Sequence, residues 1–154
     1  MNEPLIQPPN AHRVVHHAAG DVLFKQGDLG SEVYLVVSGH VQISQEIDGA
    51  EQVLATLDPG QFFGEMALFE GAVRSASATV HGHARLICFT KEEFLERAHE
   101  EPAFALALVQ DLCARLRGAT DMIHELVHEE EVLQEQLARV LTKFNVLIKT
   151  GKRI

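Results

Sequence analysis

Residues 63–78 read Phe63-Gly64-Glu65-Met66-Ala67-Leu68-Phe69-Glu70-Gly71-Ala72-Val73-Arg74-Ser75-Ala76-Ser77-Ala78. An acidic residue follows a glycine directly, and a single Arg74 comes before a run of small residues. A helix that begins near Gly64 would direct free backbone N–H groups at an anion. Arg74 adds a planar fork of donors that matches phosphate oxygens, and Glu65 offers acceptors for sugar hydroxyls. The stretch therefore predicts a site for a sugar phosphate.

Short apolar runs surround this stretch from Asp21 to Phe89. Turn residues separate the runs about every eight to twelve residues, which is typical of an all-β sandwich or roll. Asp48-Gly49 lies between two apolar runs and predicts a hairpin. Ser38-Gly39 and Asp58-Pro59-Gly60 predict further breaks between strands.

After residue 89 the apolar spacing becomes helical. Thr90-Lys91-Glu92-Glu93 is a capping box that predicts a short helix, and Pro102 suits the first turn of a second one. Apolar residues then recur at alternating steps of four and three, as in the seam of a coiled coil. The seam consists of Leu112, Leu116, Ala119, Ile123, Leu126, Glu130, Leu133, Leu137, Val140, Phe144 and Leu147. A lone helix cannot hide this stripe, so we expect a homodimer through helix 102–149; the alternative is a helix folded back on its own sheet.

The stretch 63–78 resembles the phosphate-binding cassette of the cyclic nucleotide-binding domain family, in its bacterial catabolite-activator-like form. Members run Phe-Gly-Glu, an aliphatic residue, Ala-Leu, a short gap, Arg, a small residue and Ala, and Val73 stands where many have Pro. The resemblance implies a mainly β plus α fold. It would be a double-stranded β-helix or jelly roll, the cyclic nucleotide-binding β-roll, followed by a long C-terminal coiled-coil helix. The expected parts are an irregular segment 1–13, the nucleotide-binding domain 14–120, and a dimerisation helix and tail 121–154.

The resemblance also implies a role for each cassette residue. Glu65 would bind the ribose 2′-hydroxyl and Arg74 the cyclic phosphate, with Ser75 and the nearby amides completing the cradle. Thr120 falls near the helix position that contacts the adenine amino group in bacterial members; alternatively, its hydroxyl bonds its own backbone. We favour cyclic AMP on account of this helix position. Ser75 would suit a guanine amino group equally well, so cyclic GMP stays open. The expected site comprises Phe63, Gly64, Glu65, Met66, Ala67, Arg74, Ser75, Ala76 and Thr120.

Composition excludes several other classes of protein. Thirteen basic against 22 acidic residues leave a net charge of −9, which argues against a nucleic-acid partner.

The N-terminus lacks the pattern of a signal peptide and no apolar run approaches the roughly 20 residues of a membrane span, so we expect a cytoplasmic protein without a membrane partner. Because only a short tail follows the long helix, we expect a protein without a helix-turn-helix domain. We therefore expect a non-enzymatic, free-standing sensor, with no cofactor or metal, that signals to an unidentified downstream protein.

One motif points elsewhere. His124-Glu125-Leu126-Val127-His128 matches the His-Glu-x-x-His pattern of zinc peptidases. Leu126 belongs to the predicted seam, however, and nothing nearby in the sequence would build a catalytic cleft around the motif. A zinc peptidase is thus a remote alternative, and a ligand-free dimeric scaffold of the same fold is a nearer one.

Overall fold

The computed structural model describes residues 14–70 and 73–150, without the side chains of residues 68–70 and 146–150. The predicted irregular segment 1–13, residues 151–154 of the predicted tail and Gly71-Ala72 of the cassette lie outside the described residues. The chain divides into two units between Asp111 and Leu112. The domain boundary expected at residue 120 stays a prediction.

The first unit is an antiparallel β-roll. Its elements are β1 (Val14–His17), β2 (Val22–Phe24), β3 (Val33–Ile47), β4 (Ala50–Leu57), β5 (Phe62–Phe63), α1 (Glu65–Glu70), β6 (Ser77–Phe89), α2 (Lys91–Glu100) and the start of α3 (Pro102–Thr150). The strands follow the order β1-β6-β3-β4, with β2 also paired to β6 and β5 to β3. The predicted β-roll followed by a long C-terminal helix is confirmed.

Strands β3 and β6 are longer than the sequence pattern predicts. The turn expected at Ser38-Gly39 is wrong, because both residues lie inside β3, where its register against β6 shifts. Gly39 has φ 78, and a Cβ there would lie 2.1 Å from the carbonyl oxygen of His83. The glycine marks a bulge where the backbone of β3 comes unusually close to that of its paired strand β6. The hairpin at Asp48-Gly49 is confirmed by the pairing of Ile47 with Ala50.

Both predicted helix starts are confirmed. The Glu93 N–H donates to Thr90 Oγ1 at 3.2 Å, and the Thr90 N–H donates to Glu93 Oε2 at 2.8 Å, so the capping box is closed. Pro102 begins α3. Its pyrrolidine ring needs no N–H partner at this position, where the helix has no acceptor to offer.

The first turns of α3 pack onto the roll through an aromatic cluster. The Phe104 ring is buried, with centroids 5.5 Å from Phe62, 5.2 Å from Phe89 and 5.2 Å from Phe94. Two helical turns further on, Asp111 Oδ2 accepts a hydrogen bond from the Phe62 N–H at 3.1 Å. Strand β5 leads straight into the cassette, so α3 is held to the strand that positions the site.

The second unit is the rest of α3, and its apolar side chains face solvent. The exposed large seam residues are Leu116, Ile123, Leu126, Leu133, Leu137, Val140 and Phe144. The Leu147 side chain lies outside the described ones. No helix in the described part of the chain is long and apolar enough to cross a membrane.

Candidate functional site

The cassette begins where β5 ends. Phe63 is buried against β3, Gly64 adopts φ 82, and α1 starts at Glu65 and runs for six residues. Glu65 and Ala67 are buried, whereas Met66 is half exposed. The left-handed backbone at Gly64 turns the chain sharply, and this turn separates the buried strand from the acidic start of the helix.

The loop that follows β2 holds the Arg74 backbone. The Arg74 N–H donates to the carbonyl of Asp28 and the Gly27 N–H donates to the carbonyl of Arg74, each at 2.8 Å. Leu29 and Val73 form a bridge alongside. The end of the cassette is therefore fixed by a segment more than forty residues earlier in the chain.

The Arg74 side chain is almost fully enclosed, with 3% of it exposed. Its Nη1 donates to the carbonyl oxygens of Glu32 at 2.9 Å and Gly64 at 3.1 Å. Its central carbon lies 4.1 Å from the centroid of the Phe24 ring, which gives the cation an aromatic face to rest on. The guanidinium is thus held by backbone carbonyls and an aromatic ring together.

The other edge of the guanidinium is less well satisfied. Nη2 lies 3.3 Å from Oε2 of Glu32, a long distance for a charge-assisted hydrogen bond. Nε is buried and has no hydrogen-bond partner. A Cβ at residue 30 would lie 2.3 Å from Nε, so only a glycine allows the backbone at residue 30 to pack against this edge. A buried donor without an acceptor is a costly feature that a bound anion would remove.

Aromatic rings from three strands form the floor under Arg74. The Tyr34 ring stacks on Phe63 at 5.0 Å, and the Phe24 centroid lies 5.8 Å from Tyr34. Burial, with a smaller contribution from Cys88, raises the pKa of Tyr34 to about 12. A tyrosine hydroxyl is protonated at neutral pH even at its ordinary pKa, and burial widens that margin, so the floor carries no negative charge beneath the cation.

Comparison with known proteins identifies this architecture. Residues 14–101 match the family model of the cyclic nucleotide-binding domain, more than half of the chain. The chain belongs to this family. The cassette expected from the sequence lies within the matched region, and so does Glu32.

One curated relative and two solved structures illustrate the range of the family. The cyclic AMP receptor protein of Thermus thermophilus is 38% identical over 125 residues, which are 80% of this chain and 57% of that protein. The crystal structure of the Thermus thermophilus catabolite activator protein superposes with a TM-score of 0.65 at 36% identity, over 75% of this chain and 55% of the other. The c-di-GMP-responsive regulator CLP of Xanthomonas campestris has a TM-score of 0.65 at 26% identity, over 71% and 56%. The chain thus spans little more than half the length of its curated Thermus relative.

Most of the expected site residues converge in the first unit. The two ends of the cassette lie against each other: Arg74 Nη1 donates to the carbonyl of Gly64, and Ser75 Oγ lies 3.7 Å from Met66 Sδ. Thr120 belongs to the second unit, where its hydroxyl donates to the carbonyl of Leu116 at 3.0 Å. A contact between Thr120 and a base stays a prediction.

Sequence reasoning missed the groups that surround Arg74 outside the cassette. No pattern in the sequence predicted a role at the site for Phe24, Gly30 or Glu32. The segment from Gly27 to Glu32 has the composition of a turn, and this reading hides any other role. Glycines followed by an acidic residue, as in Gly27, Gly30 and Glu32, are too common in sequences to predict the contact between Glu32 and Arg74.

The His-Glu-x-x-His motif lies on α3 in the second unit, with its residues exposed. Within residues 14–70 and 73–150, no group of three or more His, Cys, Asp or Glu side chains is placed to hold a metal ion. Two histidines on an open helix face offer neither a third ligand nor a cleft for a peptide. The structure therefore adds nothing in favour of the peptidase alternative.

Proposed function

We propose that this chain is a cyclic nucleotide sensor rather than an enzyme, with cyclic AMP as the favoured ligand. The observation that carries the proposal is the buried Arg74, whose Nε lacks an acceptor at the end of a matching cassette. A native protein rarely keeps a buried guanidinium donor unsatisfied without a functional reason. A cyclic phosphate would supply the missing acceptor.

The binding mode follows from the chemistry of three cassette side chains. Arg74 pairs with the cyclic phosphate through charge-assisted hydrogen bonds. Glu65, buried at the start of α1, accepts from the ribose 2′-hydroxyl, and Ser75 completes the phosphate contacts. The remaining predicted residues, Phe63, Gly64, Met66, Ala67 and Ala76, shape the backbone around the sugar.

The base is the less constrained part of the ligand. One relative is named for cyclic AMP and another for c-di-GMP, so the family uses more than one nucleotide. Cyclic AMP is favoured because Thr120 offers a hydroxyl that suits the adenine amino group. Cyclic GMP remains the alternative, through Ser75 and a guanine amino group.

Signal transmission would run from β5 into α3. Asp111 binds the Phe62 N–H and, through its other oxygen, the Gln61 side-chain amide at 3.1 Å. Any ligand-driven shift of the cassette pulls on this strand and therefore on the start of α3. A ligand changes the helix only if it binds one arrangement more tightly than the other. The helix would then report the change to a downstream protein.

The exposed seam of α3 supports a homodimer. Large apolar side chains spaced at 3.5 residues are seldom left in water along a whole helix, and a second copy presents the same stripe. Glu130 is the one charged member of the seam. A charged residue at such a position lowers stability but restricts the register of the pair.

Calorimetric titration of the purified chain tests the sensor proposal. Cyclic AMP, cyclic GMP and c-di-GMP are titrated separately, with adenosine as the ligand that lacks a phosphate. We expect cyclic AMP to saturate one site per chain and to bind more tightly than the other three. If none of them binds at millimolar concentration, the ligand-free scaffold replaces the sensor.

Sedimentation of Leu133→Asp tests the dimer. Leu133 lies on the seam and is 65% exposed in the single chain, so a carboxylate there would be buried in a pair. We expect the wild type to sediment as a dimer and Leu133→Asp as a monomer. Val132→Asp, one residue away and off the seam, is the matched control and should remain dimeric. A dimeric Leu133→Asp would contradict the predicted seam.

A further inference from the structure

We propose that residues 126–144 of α3 pair antiparallel with a second copy of the chain, so that Leu133 lies opposite Leu137 of that copy. This inference rests on the homodimer of the proposed function and adds the direction and the register of its two helices. It is carried by the charged side chains in and beside the exposed seam.

Charge changes sign along the exposed part of α3. Acidic residues come first and the basic Arg139 and Lys143 follow. The acidic residues are Asp121, Glu125, Glu129, Glu130, Glu131 and Glu135. Arg139 is paired with Glu135 of its own helix at 2.7 Å. Glu129 and Lys143 are exposed and form no ion pair within the part of the chain that the structure describes. An antiparallel copy would place the acidic half of each helix beside the basic half of the other.

A parallel pair would match these charges poorly. Equivalent seam residues face each other in a parallel pair, so Glu130 would meet Glu130 of the second copy between apolar layers. Glu129, directly before this seam position, would face Gln134 of the other helix, which carries no charge. The pair would hold two like charges in its seam and gain no ion pair from Glu129.

The antiparallel register keeps the apolar layers together. Leu133 faces Leu137 and Leu126 faces Phe144 across the pair. These four side chains are 59% to 65% exposed in the single chain. A second copy therefore removes from water the side chains that the single helix cannot cover.

The same register matches the charges. Glu130 faces Val140 instead of another carboxylate, and it keeps the hydrogen bond that Gln134 Nε2 donates within the helix at 3.1 Å. Glu129 and Lys143 are two heptads apart and thus lie on the same side of the seam, so each meets the other across the pair. Two-fold symmetry forms this ion pair twice.

Charge also selects this register over its neighbours. A shift of one heptad keeps seam against seam but places Glu129 beside Gln136 and Lys143 beside Met122, so neither charge has a partner of opposite sign. A shift of one heptad more in the same direction brings Glu129 against Glu129 of the second copy. Of these three registers, the proposed one alone pairs opposite charges.

A double-mutant cycle on the full chain tests the pairing, with the dimer dissociation constant measured by sedimentation. Glu129→Lys and Lys143→Glu each set like charges against each other, so we expect each to raise the constant about tenfold. The two substitutions together restore opposite charges and should return the constant to within about threefold of the wild type. Within one helix the two residues are about 21 Å apart, beyond the range of a screened interaction, so this recovery requires a second copy.

Glu131→Lys is the matched control. It makes the same change in charge two residues later, about 200° around the helix, where the side chain faces away from Lys143 of the second copy. We expect its dimer constant to stay within about threefold of the wild type, with no recovery when Lys143→Glu is added. Equal recovery with Glu131→Lys would mean that only net charge matters and would overturn the proposal.

Cysteine cross-linking gives the direction independently. In a Cys113→Ser background, which removes the exposed native thiol, Leu126→Cys and Phe144→Cys are oxidised separately and after mixing. Antiparallel chains should cross-link only in the mixture, because only there do two thiols come within the reach of a disulfide. A Leu126→Cys chain that links to itself would reveal a parallel pair.

The outcomes separate this inference from the proposed homodimer. A dimer that shows no recovery in the double variant, or in which Leu126→Cys links to itself, overturns the antiparallel register and leaves the homodimer standing. A wild type that stays monomeric at every concentration overturns both, and assigns the seam to another protein or to the roll of its own chain. Recovery in the cycle, together with a link between the two different cysteine variants alone, supports the proposal.

Discussion

Arg74→Ala is expected to abolish cyclic nucleotide binding, with an affinity loss of about 100-fold or more. The variant removes charge-assisted hydrogen bonds worth roughly 1.5–3 kcal/mol each, and two of them make up the bidentate pair. It also removes the cation that draws a phosphate into an acidic protein of net charge −9. Titration with cyclic AMP measures the loss, and the melting temperature in saturating nucleotide should no longer rise.

Arg74→Lys is the matched variant for this experiment. Lysine keeps the positive charge but lacks the planar fork, so it cannot pair with a phosphate through two parallel hydrogen bonds. We expect intermediate binding. Without nucleotide, Arg74→Ala should melt at a lower temperature than the wild type, because the carbonyls of Glu32 and Gly64 lose their buried donor. If Arg74→Ala kept wild-type affinity, the phosphate would have to bind elsewhere.

The fold was predictable where its signals are local. Turn residues and apolar runs indicated the β-roll, and the capping box at Thr90 marked α2 to the residue. The prediction of a turn at Ser38-Gly39 was wrong because a glycine needed for a turn and one needed where two paired strands come close look alike in sequence. Only the neighbouring strand decides between them.

The candidate site, like the fold, was predictable only where its residues are close together in the sequence. The cassette from Phe63 to Ala76 is continuous in sequence, so its spacing alone indicated an anion site. The contact between Arg74 and Glu32 joins residues 42 apart, and the Phe24 ring comes from another strand again. Such contacts depend on the pairing of β2, β3 and β6, which no local pattern encodes. The sequence pattern therefore indicated the anion-binding residues but not the side chains that hold Arg74 in place.

Phe104→Ala is expected to be the most destabilising of the substitutions considered. Phe104 joins α3 to the roll, and its ring touches three other buried rings and lies 5.8 Å from the Arg97 guanidinium. Truncation of a buried Phe to Ala costs about 3–5 kcal/mol, because the cavity only partly collapses. For a domain of this size we expect the melting temperature to fall by roughly 10–20 °C.

Leu106→Ala provides the comparison on the same helical turn. Leu106 is 55% exposed, so its truncation should lower the free energy of unfolding by no more than about 1 kcal/mol. Both variants are melted at one protein concentration, because a dimer makes the melting temperature depend on concentration. Equal losses in the two would contradict a packed aromatic joint at Phe104. A large loss confined to Phe104→Ala would mean that the start of α3 is part of the fold of the roll, as it must be if movement of β5 is to reach the long helix.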